Sequence, residues 1–184
     1  MMNQEDTRDD PYAKCPEFET ESFHLRQVRE EDAEDLLASS IFAGRYAILE
    51  EMKKCIHSWL DEYKNRYYIR FAVLDKKTKK AIGTIEVFDN IHREKKWKLD
   101  AVRHGFVLHI DLAVPYETRE YISELLRLAD RELFRLFGFE YLLIRAVPAA
   151  AERIAALTAA GYEPFTWERG REHYYMKRSP GYDA

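Results

Sequence analysis

The chain has 184 residues, 46% of them apolar and 14% aromatic, and a net charge of −4. That describes a single globular domain large enough for a real core, and the negative balance argues against a general nucleic-acid binder. No run of about 18 apolar residues and no apolar N-terminal signal core occur, so a cytoplasmic protein without a membrane span is expected. Cys15 and Cys55 have no metal-like spacing and are expected as unpaired thiols; no metal site is expected.

Met1–Ser22 holds seven acidic residues against two basic ones and reads as an acidic flexible tail, docked at most through Tyr12 or Phe18. Residues 23–178 are expected to form one domain. Phe23–Val28 opens it as a strand. Glu30, Glu31 and Asp32 suit a helix N-terminus, and Ala33, Leu36 and Leu37 supply its inner face. After a loop around Gly44, Tyr46–Tyr63 carries Ile48, Met52, Cys55, Ile56, Trp59, Leu60 and Tyr63 on one helical stripe.

Tyr68–Leu74 and Ala81–Phe88 read as a hairpin over the charged turn Asp75–Lys80. Gly83 inside a strand suggests a bulge or a close backbone approach. Glu86 is either a base or a paired surface carboxylate. Asp89–His104 is a basic connector with Arg93, Lys95, Lys96, Lys98 and Arg103, open to a solvated, acidic-partner, coenzyme-phosphate or RNA reading.

Phe106–Val114 alternates like a strand, and Pro115, lacking an N–H, stops it. From Ile122 the period changes. Leu125, Leu126, Ala129, Leu133, Leu136 and Phe137 continue a helical face to Gly138. Tyr141–Val147 is a strand, placed parallel to Phe106–Val114 by the strand–helix–strand order. Pro148–Ala160 is an alanine-rich helix ending at Gly161. Tyr162–Trp167 and His173–Lys177 form a last hairpin with Gly170 at its turn, before a tail over Ser179–Ala184.

Four runs together resemble the GNAT (acyl-CoA N-acyltransferase) superfamily over roughly Phe23–Arg178: FHLRQVREEDAEDLL, RFAVLDKKTKKAIGTIEVF, GFVLHIDLAVPYETREYISELLRL and AERIAALTAAGYEPF. The resemblance implies an α/β (α+β) fold. Its mixed, mostly antiparallel sheet would have about six or seven strands flanked by about four helices, with two central parallel strands splayed apart. It also implies acetyl-CoA as donor and a small-molecule or peptide amine as acceptor, chosen near the Tyr46–Tyr63 helix.

In the family, amides of the central strand meet the acyl thioester, which places Leu112, Ala113 and Val114 there. The next turn carries Arg/Gln-x-x-Gly-x-Gly/Ala around the pyrophosphate, where bare N–H groups and the helix dipole favour an anion. This chain departs from that pattern. One register puts Thr118, Tyr121 and Ser123 at the motif positions, the other Glu117, Glu120 and Ile122, so the coenzyme-contacting stretch is Thr118, Arg119, Glu120, Tyr121, Ile122 and Ser123 without its glycines. Thr118 suits a helix cap, and Glu120 and Glu124 place the protein's own negative charge there. The family's Asn, Ser and Tyr on the following helix fall at Ala150, Arg153 and Leu157, which leaves Tyr162, Tyr174 or Tyr175 as substitutes for the acid.

The candidate catalytic groups are His109 and Asp111, which share a strand face and have structural roles as the alternative. Two readings follow. One is an N-acetyltransferase with a remodelled coenzyme site. The other is a catalytically inactive GNAT-fold binding or regulatory protein, a pseudoenzyme. An open splay near Val114 and Ile144 would favour the first and a filled one the second.

Overall fold

The computed structural model describes residues 10–39, 41–42, 44–89, 105–167 and 171–180. The basic connector, from residue 90 to residue 104, and the turn at Gly170 lie outside them. The strands are β1 Phe18–Glu19, β2 Phe23–Gln27, β3 Tyr68–Asp75, β4 Ala81–Asp89, β5 Gly105–Leu112, β6 Tyr141–Arg145, β7 Glu163–Trp167 and β8 Arg171–Arg178. They form one sheet in the order β1-β2-β3-β4-β5-β6-β8-β7, in which β5–β6 is the parallel pair. The expected mixed, mostly antiparallel α/β architecture is what folds, with one more strand than expected.

The helices are α1 Ala33–Ala38, α2 Leu49–Lys64, α3 Arg119–Leu128, α4 Phe134–Phe137 and α5 Ala151–Ala159. A π-helical turn, Ala129–Leu133, joins α3 to α4, so the expected single central helix runs continuously from Arg119. Gly138 ends it in the left-handed conformation (φ 63°), as the αL cap requires. In the π turn, Asp130 accepts hydrogen bonds from Tyr162 Oη (3.1 Å) and Lys177 Nζ (2.5 Å), tying this helix to the closing strands.

Strand alternation gives the sheet two apolar faces. Ala72 and Ala81 meet Leu36, Met52 and Ile56 of α1 and α2 on one side. Leu108, Ile110 and Leu112 meet Ile122, Leu125 and Leu126 of α3, with Ala156 and Leu157 of α5 in the same core, on the other.

The chain from Asp10 onward does not behave as the tail expected over Met1–Ser22. Tyr12 stacks on Tyr63, Phe18 packs on Phe71, and β1 pairs with β2. Glu124, expected to serve the helix N-terminus, is instead buried and accepts the Ser22 N–H at 2.7 Å. Acidic composition hid how firmly the segment is held: two aromatics, one strand pairing and one carboxylate suffice.

Gly83 meets both halves of its expectation. The β3–β4 register shifts between Val73 and Leu74, opposite it, and a Cβ at Gly83 would lie 2.3 Å from the Asp111 carbonyl oxygen. Gly83→Ala must therefore push β4 from β5. It should cost about 1–3 kcal/mol in chemical denaturation, the usual penalty of overpacking; unchanged stability would contradict the close approach.

Candidate active site

β5 and β6 hydrogen-bond in parallel from Gly105/Tyr141 to Leu108/Ile144, and there the ladder ends. β5 runs on to Leu112, while the chain after Arg145 turns away toward α5. The strands therefore splay, and a cleft of about 930 Å³ opens at the gap. Its walls include Leu108, His109, Ile110 and Asp111 of β5, Arg145 to Val147 after β6, Glu117, and the start of α5. It continues past Arg70 and Glu86 to Trp59 and Glu62 of α2, where the acceptor side was expected.

The backbone decides which amides face the gap. Ala113 N–H donates to Ile82 O at 2.8 Å, so in the β4–β5 register the residues at 109, 111 and 113 bond toward β4. Ile110 and Leu112 point their N–H groups the other way, into the splay. This corrects the placement of Ala113 among the donor-facing amides and adds Ile110. Val114 lies in a short 3-10 turn, Val114–Tyr116, and is exposed. That turn is held by Tyr116 Oη donating to Asp75 Oδ2 at 2.7 Å. Burial and the neighbouring carboxylate push the Tyr116 phenol up to about 12. Against its own burial, Asp75 is held below the usual carboxylate range by this bond and by the Lys77 N–H and Thr78.

On the floor of the cleft, three cross-strand partners line up. Arg70 faces Glu86, and Glu86 faces His109. Arg70 Nη2 lies 2.8 Å from Glu86 Oε2, with only 10% and 11% of the two side chains exposed. His109 Nδ1 lies 3.4 Å from the same oxygen, and its ring meets Phe88 edge-on at 5.0 Å. Trp59 covers the guanidinium at 4.0 Å, a cation–π contact that also keeps water off it. Arg70 Nη1 donates to Thr84 Oγ1 (3.3 Å), while Arg70 Nε is buried without a partner among the described residues. So His109 pairs with Glu86 rather than with Asp111, whose side chain, half-buried, lines the cleft.

The expected coenzyme stretch divides. Thr118 caps α3, its Oγ1 accepting the Tyr121 N–H at 3.4 Å. Arg119 N–H, however, donates to the Glu152 carboxylate at 3.0 Å. Thr118, Arg119, Glu120, Tyr121 and Ser123 border a shallow depression with Arg127 and Glu152. The Tyr121 ring packs on Phe23 and Tyr116, and Ile122 is wholly buried in the core, so the register that gave Ile122 a ligand position is wrong for its side chain. Leu157 is likewise core. Ala150 and Arg153 do line the cleft, with Arg153 ion-paired to Glu117 and donating to Arg145 O. None of Tyr162, Tyr174 and Tyr175 lines it; Tyr162 is buried on Asp130, and its phenol is pushed well up by that burial. Among the described residues the tyrosine that lines the cleft is Tyr68.

A family model described as acetyltransferase (GNAT) domain matches residues 22–163. The chain belongs to this family. Solved GNAT-fold structures agree at the level of the fold. A Vibrio cholerae protein assigned as a ribosomal-protein-serine acetyltransferase superposes with a TM-score of 0.68 at 14% identity, covering 89% of this chain and 98% of that one. The ribosomal-protein-S5-alanine acetyltransferase of Vibrio fischeri gives 0.63 at 15% identity, covering 92% and 100%. A ribosomal L7/L12 alpha-N-protein acetyltransferase in complex with coenzyme A gives 0.63 at 12%, covering 89% and 98%. No curated protein matches the sequence. Among the described residues no helix is long and apolar enough to cross a membrane, and no metal-binding cluster occurs.

Membership of the family does not by itself identify the GNAT chain's critical side chains, and the geometry nominates Arg70. Arg70→Met leaves the Glu86 carboxylate in a water-poor site without its cation. It should cost about 3–5 kcal/mol, whereas Arg70→Met with Glu86→Leu should recover most of that loss. Additive losses in urea denaturation would contradict the pairing.

Proposed function

We propose that the chain transfers an acyl group from a coenzyme-A-type thioester to the amine of a small molecule or peptide, using the splay between β5 and β6. The observation that carries this reading is the open cleft, with Ile110 in its wall beside His109 and the Ile110 and Leu112 amides on the strand edge that β6 leaves unpaired. One such N–H donor suits the oxygen of a thioester carbonyl as it gains charge, and the other, about 6.6 Å along the strand, suits a carbonyl of the arm that carries it.

The acceptor enters from the Trp59 and Glu62 side. Its nitrogen attacks the carbonyl carbon, and its proton passes to His109. With Nδ1 engaged by Glu86, Nε2 is the nitrogen available for that proton. Glu86 then stabilises the imidazolium, and Arg70 balances Glu86; both are positioning residues. Asp111, on the same face and without a charged partner among the described residues, suits the incoming ammonium before it loses its proton. As the carbon–sulfur bond breaks, the thiolate takes a proton from water or from the imidazolium, since Tyr162, Tyr174 and Tyr175 lie outside the cleft.

The donor fits in part. Its pantetheine arm suits the splay. Its diphosphate does not suit the start of α3 as folded, because a carboxylate already holds an amide there. That observation favours the second reading, a binding module without catalysis.

The test is thiol release from acetyl-CoA and from acetyl-pantetheine with a panel of small and peptide amines. Wild type should release thiol with at least one amine. His109→Asn should lower the rate by about 100-fold or more and Glu86→Gln by less. No release with either donor across the panel, together with no binding of acetyl-pantetheine, would establish the module reading instead.

A further inference from the structure

The opening of α3 has three amides without an intrahelical partner, those of Arg119, Glu120 and Tyr121; the first helical bond is Ile122 N–H to Thr118 O at 3.0 Å. Two of the three are satisfied from within the chain. Thr118 Oγ1 takes Tyr121 N–H, and Glu152 Oε2 takes Arg119 N–H. Glu152 belongs to the first turn of α5, so one carboxylate stands at the N-termini of two helices, where both dipoles favour it. It is also the residue that borders both the cleft and the depression at the start of α3. A donor running from the splay out along α3 must pass it. Beside it, Arg153 is spent on Glu117, so the cations left at the depression are Arg119 and Arg127, and the contest with a phosphate is for the amides.

We propose that Glu152 is the resident anion of the α3 N-terminus and excludes a coenzyme diphosphate from it. The position that the missing glycines would have opened is closed by a carboxylate from α5. A donor in the splay is then held by its pantetheine arm, with its diphosphate displaced from the amides. The inference depends on the acyl-transfer reading for the arm alone; the anion contact stands or falls separately.

Calorimetric titration of wild type, Glu152→Gln and Glu152→Ala with acetyl-CoA and with acetyl-pantetheine tests it. Acetyl-CoA should bind Glu152→Ala about tenfold or more tightly than wild type, with Glu152→Gln between them because it keeps the hydrogen bond and loses the charge. Acetyl-pantetheine should bind all three alike. Equal or weaker acetyl-CoA binding by Glu152→Ala overturns the proposal, as does an equal gain for both ligands, which would mean a merely wider cleft. A gain for acetyl-CoA with no binding of acetyl-pantetheine keeps the anion contact and removes the arm from the splay. If Glu152→Ala melts early, Glu152→Gln carries the test, with about a threefold gain expected and no gain overturning it.

Discussion

The parting of β5 from β6 after Leu108 and Ile144 is the constraint on which the rest depends. Two parallel strands that stay paired leave no room and no spare amides. Here β6 ends at Arg145, and β5 continues alone on that side for four residues. The lost ladder bonds would be costly in a dry core. They are tolerated because the gap is a cleft, open to water and to a ligand. Among the described residues, His109, Ile110 and Asp111 of β5 and the start of α5 border it, and Glu152 connects it to the start of α3.

The cleft has two differently built halves. One half rests on a buried charge line, Trp59–Arg70–Glu86–His109, fixed by three strands and covered by α2. The arrangement presents one imidazole to the cleft while keeping its supporting charges nearly buried. The other half, toward the start of α3, is closed by the chain's own groups. Where glycines would leave a helix N-terminus bare, Thr118 and Glu152 satisfy it. The same electrostatics that attract a phosphate to such a site hold a carboxylate there. The GNAT fold thus persists with its splay open and the N-terminus of α3 occupied from inside.

Much of the architecture was legible because period and breakers are local. The change from alternation to helical spacing around Pro115, the stop at Gly138 and the close approach at Gly83 each follow from a few neighbouring residues. The anchoring of Asp10–Ser22 was legible only as a loose docking through Tyr12 or Phe18, since their partners Tyr63 and Phe71 are distant in sequence. His109 and Asp111 were legible as a shared face. That Arg70 supports the Glu86 carboxylate beside His109 was not, for a specific reason. The pairing Leu74↔Ala81 nearest the turn, extended along the hairpin, would set Arg70 opposite Ile85. The bulge after Val73 shifts the register by one and brings Arg70 to Glu86. Glu152 carried no local signal, because its role depends on how α5 packs beside α3.

The most direct test of the account is the amide NMR spectrum of the protein titrated with acetyl-pantetheine, a donor without the nucleotide. The Ile110 and Leu112 amides should shift together and saturate at one affinity, while those of Arg119 and Tyr121 hold still. Shifts confined to other regions, or none at millimolar ligand, would contradict a thioester arm seated in the splay.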